Sequence, residues 1–255
     1  MLMADSLVII PTYNERENIE AIVNAVLAHS EHTFDVLVVD DNSPDGTAAI
    51  VDEMIVSRPD RIHILKREGK QGLGTAYIAG FRWALDHGYD YIIEMDADFS
   101  HNPDDLIPLQ AACATGGADV SVGSRYISGV NVVNWPLGRI LMSYGASIYV
   151  RLITGMKVKD STAGFVCYRR QVLEEINLDL IEFKGYAFQI EMKFTAHRMG
   201  FRIQEVPIVF TNRVLGTSKM SGGIFGEALT GVIKLRWGSI TNKRKYTRRS
   251  RLLPQ

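Results

Sequence analysis

The chain has 255 residues, 46% of them hydrophobic, and a formal net charge of −1 at pH 7. That length accommodates one α/β domain with a C-terminal appendage, and no nucleic-acid partner is expected. No run of 18 or more residues is free of charge, which leaves no candidate for a bilayer-spanning helix. The nearest stretch, Leu137 to Ile153, carries Arg139 and Arg151.

Met1 to Ser6 is too short to act as a signal peptide before the first strand. Cys113 and Cys167 give no disulfide framework; they fit a reducing cytosol and read as small buried hydrophobes. The near-neutral charge conceals an asymmetry. From Lys234 onward there are eight basic residues and no acid, so the remaining 20 basic residues face 29 acids and the body carries −9 against +8 in the tail. Such a tail suits either an anionic surface or a solvated end.

In chain order, Ser6 to Ile10 reads as a strand that breaks at Pro11 and runs through Thr12-Tyr13-Asn14-Glu15 into a helix from about Asn18. Phe34 to Val39 is a second strand, ending in Asp40-Asp41 and a turn, Asn42 to Thr47, that opens another helix. Ile62 to Lys66 is a third. Gly69-Lys70-Gln71-Gly72-Leu73-Gly74 follows it and precedes a helix over Thr75 to His87. This loop is no Walker motif; it reads either as a tight turn or as a place where backbone amides approach a ligand. Tyr91 to Met95 is the fourth strand, followed by a helix from Asp104 to Thr115 and a strand over Asp119 to Ser124. After irregular chain through Trp135-Pro136 come helices over Leu137 to Thr154 and Phe188 to Arg198, a strand over Ile203 to Phe210, and a last helix from Ile224 to Trp237. The βαβα order predicts a mostly parallel open sheet with helices on both faces.

The fourth strand ends in Asp96-Ala97-Asp98. Open α/β sheets bind ligands at the carboxyl ends of their strands, and two acids there repel unless a cation is near, so the triplet reads as a site for a hard divalent metal shared with a phosphate. The same triplet also caps helices in ordinary loops. Three strand ends bearing polar groups in the first hundred residues favour the metal.

Pro11-Thr12-Tyr13-Asn14-Glu15, Asp40-Asp41-Asn42-Ser43-Pro44-Asp45-Gly46-Thr47 and Asp96-Ala97-Asp98-Phe99-Ser100-His101 resemble the ordered motifs of family 2 glycosyltransferases of the GT-A fold. Gly123-Ser124-Arg125-Tyr126, Asn134-Trp135-Pro136, Asp160 to Phe165 and Gly216-Thr217-Ser218-Lys219-Met220 narrow the resemblance to the dolichyl-phosphate or polyprenyl-phosphate mannosyltransferases. It runs from Pro11 to Lys219.

The resemblance implies inverting transfer of mannose from GDP-mannose to a polyprenyl or dolichyl monophosphate, with Mg²⁺ or Mn²⁺. It assigns Pro11, Tyr13 and Glu15 to the nucleoside, Asp41 to the base or ribose, and Asp96, Ala97 and Asp98 to the donor, Asp98 touching the metal and Asp96 beside it. Arg139 and Ser143 lie four apart on one predicted helix and hence on one face. With Arg125, which the resemblance also places near the donor, they correspond to the positions that hold the lipid phosphate. Arg213 and Lys219 correspond to loop cations over the donor phosphates. Some relatives carry Gln where this chain has Ser100, a poorer ligand expected to act through water. His101 is left out of the metal set as a turn or outer residue, and Glu191 reads as a sugar or loop contact or as a buried acid paired with Arg202 or Lys193.

A phosphatase of the haloacid dehalogenase type shares Asp-x-Asp after a strand, but leaves the first two motifs unexplained. A non-catalytic lipid or anion binder explains the tail alone, and transfer of glucose or another activated sugar is the alternative within the same reaction. The expected organisation is a catalytic domain over residues 1–221 and an amphipathic helix with basic tail over 222–255. Ile224, Phe225, Ala228, Leu229, Val232, Ile233 and Leu235 give that helix an apolar face, which reads either as lying in the interface on the cytoplasmic face of a membrane, with or without a tethering subunit, or as packing on the catalytic domain.

Overall fold

The computed structural model describes residues 5–29, 34–185, 187–212 and 224–251, the side chains of 224–229 and 251 excepted. The strands are β1 (Ser6–Thr12), β2 (Phe34–Asp40), β3 (Ile62–Lys66), β4 (Tyr91–Glu94), β5 (Val120–Ser124), β6 (Val132–Val133), β7 (Val166–Arg169), β8 (Ile203–Pro207) and β9 (Phe210–Thr211). The helices are α1 (Ile19–Leu27), α2 (Thr47–Ser57), α3 (Leu73–Asp86), α4 (Leu106–Ala114), α5 (Leu137–Thr154), α6 (Arg170–Glu175), α7 (Ala187–Arg198) and α8 (Ile224–Thr241).

Seven strands form one sheet in the order β3-β2-β1-β4-β7-β5-β8. β7 alone is reversed, pairing antiparallel with both β4 and β5, while the other contacts in the sheet are parallel. The central strands are near-continuous apolar runs because both sheet faces are covered. Leu7 and Ile9 of β1 meet α3 residues Tyr77 and Phe81 on one face. Val8 and Ile10 meet Ile19, Ile22 and Val23 of α1 on the other. β6 and β9 make a separate two-stranded parallel ribbon beside the carboxyl edge.

The predicted strand over Ile203 to Phe210 divides: β8 stops at Pro207, and Phe210 joins the ribbon. β7 and α6, which no periodicity announced, fill the chain between the Asp160 loop and α7.

Of the expected apolar face of the last helix, Ile233 is exposed and Val232 and Leu235 are not. Val232 and Leu235 are buried with Val150 of α5 and Phe194 of α7, so that stripe packs on the catalytic domain. Trp237 and Ile240 face outward beside Ile233. Ile224, Phe225, Ala228 and Leu229 lie outside the residues whose side chains are described.

α3 approaches β1 closely at Gly80, where an added Cβ would lie 2.8 Å from Ile9 Cγ2 and 2.9 Å from its Cδ1. Both partners are fully buried in the sheet core, so overpacking there outweighs any gain in helix propensity. Gly80→Val is expected to destabilise the fold by about 1–3 kcal/mol, read as a lowered urea midpoint at unchanged slope.

Candidate active site

The carboxyl ends of β1, β2, β4 and β5 surround a cavity of about 410 Å³. Asn14, Asn42 and Phe99, in the loops after β1, β2 and β4, have φ of 56°, 58° and 58°. Asn tolerates that left-handed conformation, but for Phe it stores strain of the kind found at functional sites.

The two acids after β2 divide their work. Asp40 is consumed by local structure: it accepts from Thr12 Oγ1 at 2.8 Å, Ser43 N at 2.9 Å and Ser43 Oγ at 2.6 Å. Asp41 lines the cavity and meets Arg67 Nε at 2.9 Å. Burial raises its pKa, the Arg67 charge opposing. Pro11, Tyr13 and Glu15 line the same end of the cavity, with Lys70 Nζ 5.1 Å from the Tyr13 ring centroid. Asn18 Nδ2 donates to Glu15 Oε2 at 3.0 Å, and Thr47 Oγ1 accepts from the Glu15 amide at 3.1 Å, which fixes the loop.

Asp96, Ala97 and Asp98 all line the cavity. Asp96 is the more open: its side chain is 38% exposed, whereas Asp98 as a residue is 6% exposed. Asp98 Oδ1 accepts from Ser100 N at 3.0 Å. Ser100 is buried, and its carbonyl accepts from Thr211 N at 3.2 Å, so its backbone joins the β4 loop to the ribbon. His101 also lines the cavity. Its Nδ1 accepts from the Asp96 amide at 3.3 Å and its ring stacks on Phe165, centroids 4.8 Å apart. Burial lowers the His101 pKa to about 4, so the ring is neutral at neutral pH and braces the acidic loop.

No cluster of three or more His, Cys, Asp or Glu side chains suited to a metal occurs among the described residues. Asp96 and Asp98 are the pair of carboxylates that the cavity offers at the end of β4. Two hard oxygen donors at the rim of this cavity would suit Mg²⁺ or Mn²⁺, which complete their shells with water and phosphate, and do not suit a closed structural zinc site.

Two arginines line the cavity from the end of β5 and from α5. Arg125 follows β5 and is 7% exposed. Asp160 takes its Nε at 2.7 Å, its Nη2 at 2.6 Å and its backbone amide at 2.9 Å, and Thr162 Oγ1 takes Nη2 at 2.9 Å. Arg139 of α5 lies 4.0 Å from the Trp135 ring centroid and donates Nη1 to Asn212 Oδ1 at 3.1 Å. Ser143, one turn further along α5, accepts from Tyr126 OH at 2.8 Å, which leaves its own proton directed elsewhere. Arg125, Arg139 and Ser143 all line the cavity, so the structure brings them together with the donor-side acids. Arg213 and Lys219 lie outside the described residues.

Several buried charges take partners that the sequence did not indicate. Asp160, the partner of Arg125, was visible only as part of a motif. Glu94, the last residue of β4, is fully buried. Burial pushes its pKa up to about 8 against the charge of Lys193. Lys193 is itself lowered to about 8 by burial and donates to Ala163 O at 2.6 Å. Glu191 pairs with neither Arg202 nor Lys193. Its partner is Lys245 of the C-terminal turn, 2.6 Å away.

A mostly parallel sheet with one reversed strand and acids at its carboxyl edge defines a GT-A type glycosyltransferase. The chain belongs to glycosyl transferase family 2, whose model matches residues 7–177. It is 50% identical over 233 residues to polyprenol monophosphomannose synthase of Mycolicibacterium smegmatis, covering 91% of this chain and 86% of that one. It is also 50% identical over 232 residues to undecaprenyl-phosphate mannosyltransferase of Micrococcus luteus, covering 91% and 93%. Among solved structures, the mannosyltransferase PcManGT from Pyrobaculum calidifontis, in complex with GDP-Man and Mn²⁺, matches with a TM-score of 0.57 at 17% identity, over 95% of this chain and 65% of that one.

Removing Asp160 would strand a buried guanidinium. Asp160→Ala is expected to cost about 3–5 kcal/mol in chemical denaturation. The exposed Lys66–Asp52 pair, of 2.6 Å, is the control, with Asp52→Ala costing under about 1 kcal/mol.

Proposed function

We propose that the protein transfers mannose from GDP-mannose to a polyprenyl-type lipid monophosphate, releasing GDP and inverting the anomeric centre, with Mg²⁺ or Mn²⁺ held by Asp98 and Asp96. One observation carries this reading: a single cavity is lined by Asp41, Asp96 and Asp98 from the ends of β2 and β4 and by Arg125, Arg139 and Ser143 from the end of β5 and from α5. It therefore offers one place for a metal-neutralised diphosphate and another for a phosphate acceptor. The names of the two relatives support mannose and a polyprenyl phosphate, and the GDP-Man and Mn²⁺ in the complex of the same fold support the donor and the cation.

Tyr13 offers an apolar face to the nucleoside, and Glu15 and Asp41 offer acceptors to its hydroxyls and ring N–H groups. When bound, the cation supplies charge neutralisation to the diphosphate as it departs. Arg139 and the Ser143 hydroxyl hold the acceptor phosphate in line with the anomeric carbon, while Arg125, fixed by Asp160, sets the potential of that wall. A phosphate monoester has a second pKa near roughly 6 and is largely dianionic at neutral pH, so the attacking oxygen needs no general base. Arg213 and Lys219 are assigned to the donor phosphates.

Such an acceptor lies in a bilayer, and no described helix is long and apolar enough to cross one. We place the membrane contact on α5. Leu137, Leu141, Tyr144, Ile148 and Leu152 form one exposed stripe along it, while Arg139, Ser143, Ala146 and Val150 on other faces line the cavity. Ile233, Trp237 and Ile240 of the adjoining α8 extend the apolar surface, and Arg151, Arg236, Lys243 and Arg244 are exposed. Apolar residues bordered by cations suit the interface of an anionic membrane. The cytoplasmic leaflet accords with two unpaired cysteines.

Given GDP-mannose, UDP-glucose or UDP-GlcNAc with a polyprenyl phosphate, the enzyme is expected to form an organic-extractable product from GDP-mannose alone. EDTA and Asp98→Ala should each abolish it, with Mg²⁺ or Mn²⁺ restoring only the wild type. Product from UDP-glucose in preference to GDP-mannose would establish the alternative donor.

The double substitution Leu141→Glu/Leu152→Glu is expected to weaken binding to anionic vesicles by at least about tenfold, given roughly 1.5–3 kcal/mol for each buried leucine. Turnover of a short, water-soluble acceptor should be retained. Unchanged vesicle binding would move the contact to the tail or to a tethering subunit.

A further inference from the structure

The basic C-terminal segment is not a free arm. Lys245 is 4% exposed, and Tyr246 beside it is buried against Phe194 of α7 and Leu235 of α8. Arg248 lies 4.0 Å from the Phe201 ring centroid and donates Nε to Met199 O at 3.0 Å. Ser250 N donates to Glu175 at 2.8 Å.

Lys245 reaches the cavity through a short series of contacts. Its ammonium meets Glu191 Oε1 at 2.6 Å and Glu182 Oε1 at 3.1 Å. The Glu191 carboxylate, fully buried on α7, also accepts the backbone amides of Glu182 at 3.0 Å and Phe183 at 2.8 Å. It thereby holds the loop 181–185. At the far end of that loop Lys184 O accepts from Gly74 N, in the first turn of α3, at 2.8 Å. The fit is close: a Cβ on Gly72 would lie 2.9 Å from Lys184 O, and one on Gly74 would lie 2.9 Å from Phe183 O. Phe183 itself presses on α8, where a Cβ on Gly231 would meet its ring at 2.8 Å. Leu73 and Ala76 of α3 and Gly185 of the loop line the cavity.

We infer that Lys245 is a positioning residue of the sugar-nucleotide side of the cavity: acting through Glu191, it fixes the loop 181–185 against the start of α3. The C-terminal turn then supports, without lining it, the wall at the start of α3, which follows Lys70 over the Tyr13 ring and which the proposed function gives to the donor, a role separate from membrane attachment. Without the ammonium, Glu191 keeps a buried negative charge with only the two amides, and the loop loosens where it meets Gly72 and Gly74. The choice of GDP-mannose as probe rests on the reading proposed above. The loop contacts do not.

The test uses the full chain with Lys245→Met and Lys245→Arg, a water-soluble short-chain polyprenyl phosphate, and no membrane. Lys245→Met is expected to raise the KM for GDP-mannose about tenfold, the loss typical of one charge-assisted contact, with less change in kcat and none in vesicle binding. Lys245→Arg should restore KM to within about threefold, since it keeps the charge and the donors. Arg248→Ala, which cuts the same segment from Met199 and Phe201, should lower thermal stability and leave KM unchanged.

Hydrogen exchange provides the second readout, without any ligand. The amides of Glu182, Phe183 and Gly74 should lose protection in Lys245→Met relative to the β1 amides. If Lys245→Met fails to fold, the same exchange and KM measurements on Lys245→Gln, which keeps a donor and loses the charge, decide the matter. Wild-type KM together with wild-type protection at those amides in a folded variant would overturn the inference. So would a loss confined to vesicle binding. Failure of the wild type to use GDP-mannose would count against the proposed donor, with the exchange result still deciding the role of Lys245.

Discussion

Arg125 and Asp160 meet where the parallel part of the sheet gives way to its one reversed strand, and the shape of the cavity follows from that contact. The carboxylate takes two guanidinium nitrogens and the Arg125 backbone amide, so one buried acid fixes the end of β5 and the loop that leads into β7. Glu205 of β8 extends the connection by accepting from Asp160 N at 2.9 Å and Ser124 Oγ at 2.6 Å. Lys193 secures the same loop from below through Ala163 O. A buried ion pair is expensive to desolvate, but the hydrogen bonds made to every side of this one offset that cost and leave little freedom in the wall.

The consequence for chemistry is a cavity with opposed electrostatics. Acids stand at the ends of β2 and β4, and arginines stand at the end of β5 and on α5. His101 adds no charge between them, because burial keeps it neutral. A diphosphate beside Asp96 and Asp98 needs an added cation, whereas a phosphate beside Arg139 does not. On the proposed function the two anions would share one enclosure without repelling each other out of it, which is the requirement for transfer between them.

Much of this was legible in the sequence, for physical reasons. The strands β1, β2 and β4 are apolar runs buried on both faces, and their polar terminations mark the carboxyl edge, so the acids that line the cavity could be placed at that edge. Arg139 and Ser143 were brought together by helical spacing alone. What escaped notice depended on contacts between distant segments. β7 has only four residues and no alternation, since both its faces are covered. The two acids of Asp40-Asp41 look equivalent in a sequence, and only the turn geometry assigns one to Ser43 and Thr12 and the other to the cavity. Glu191 lay within reach of several cations on paper, and its actual partner is 54 positions away in sequence. The apolar spacing of α8 was real, but it served the contact with α5 and α7, while α5 carries the exposed stripe.

Whether the end of β4 holds the cation of the donor complex can be read from anomalous diffraction by crystals grown with Mn²⁺ and GDP. One strong manganese peak bonded to Asp98, with the diphosphate beside it, is expected. Manganese bound elsewhere, or GDP ordered in the cavity with Asp98 in contact with neither metal nor phosphate, would contradict it.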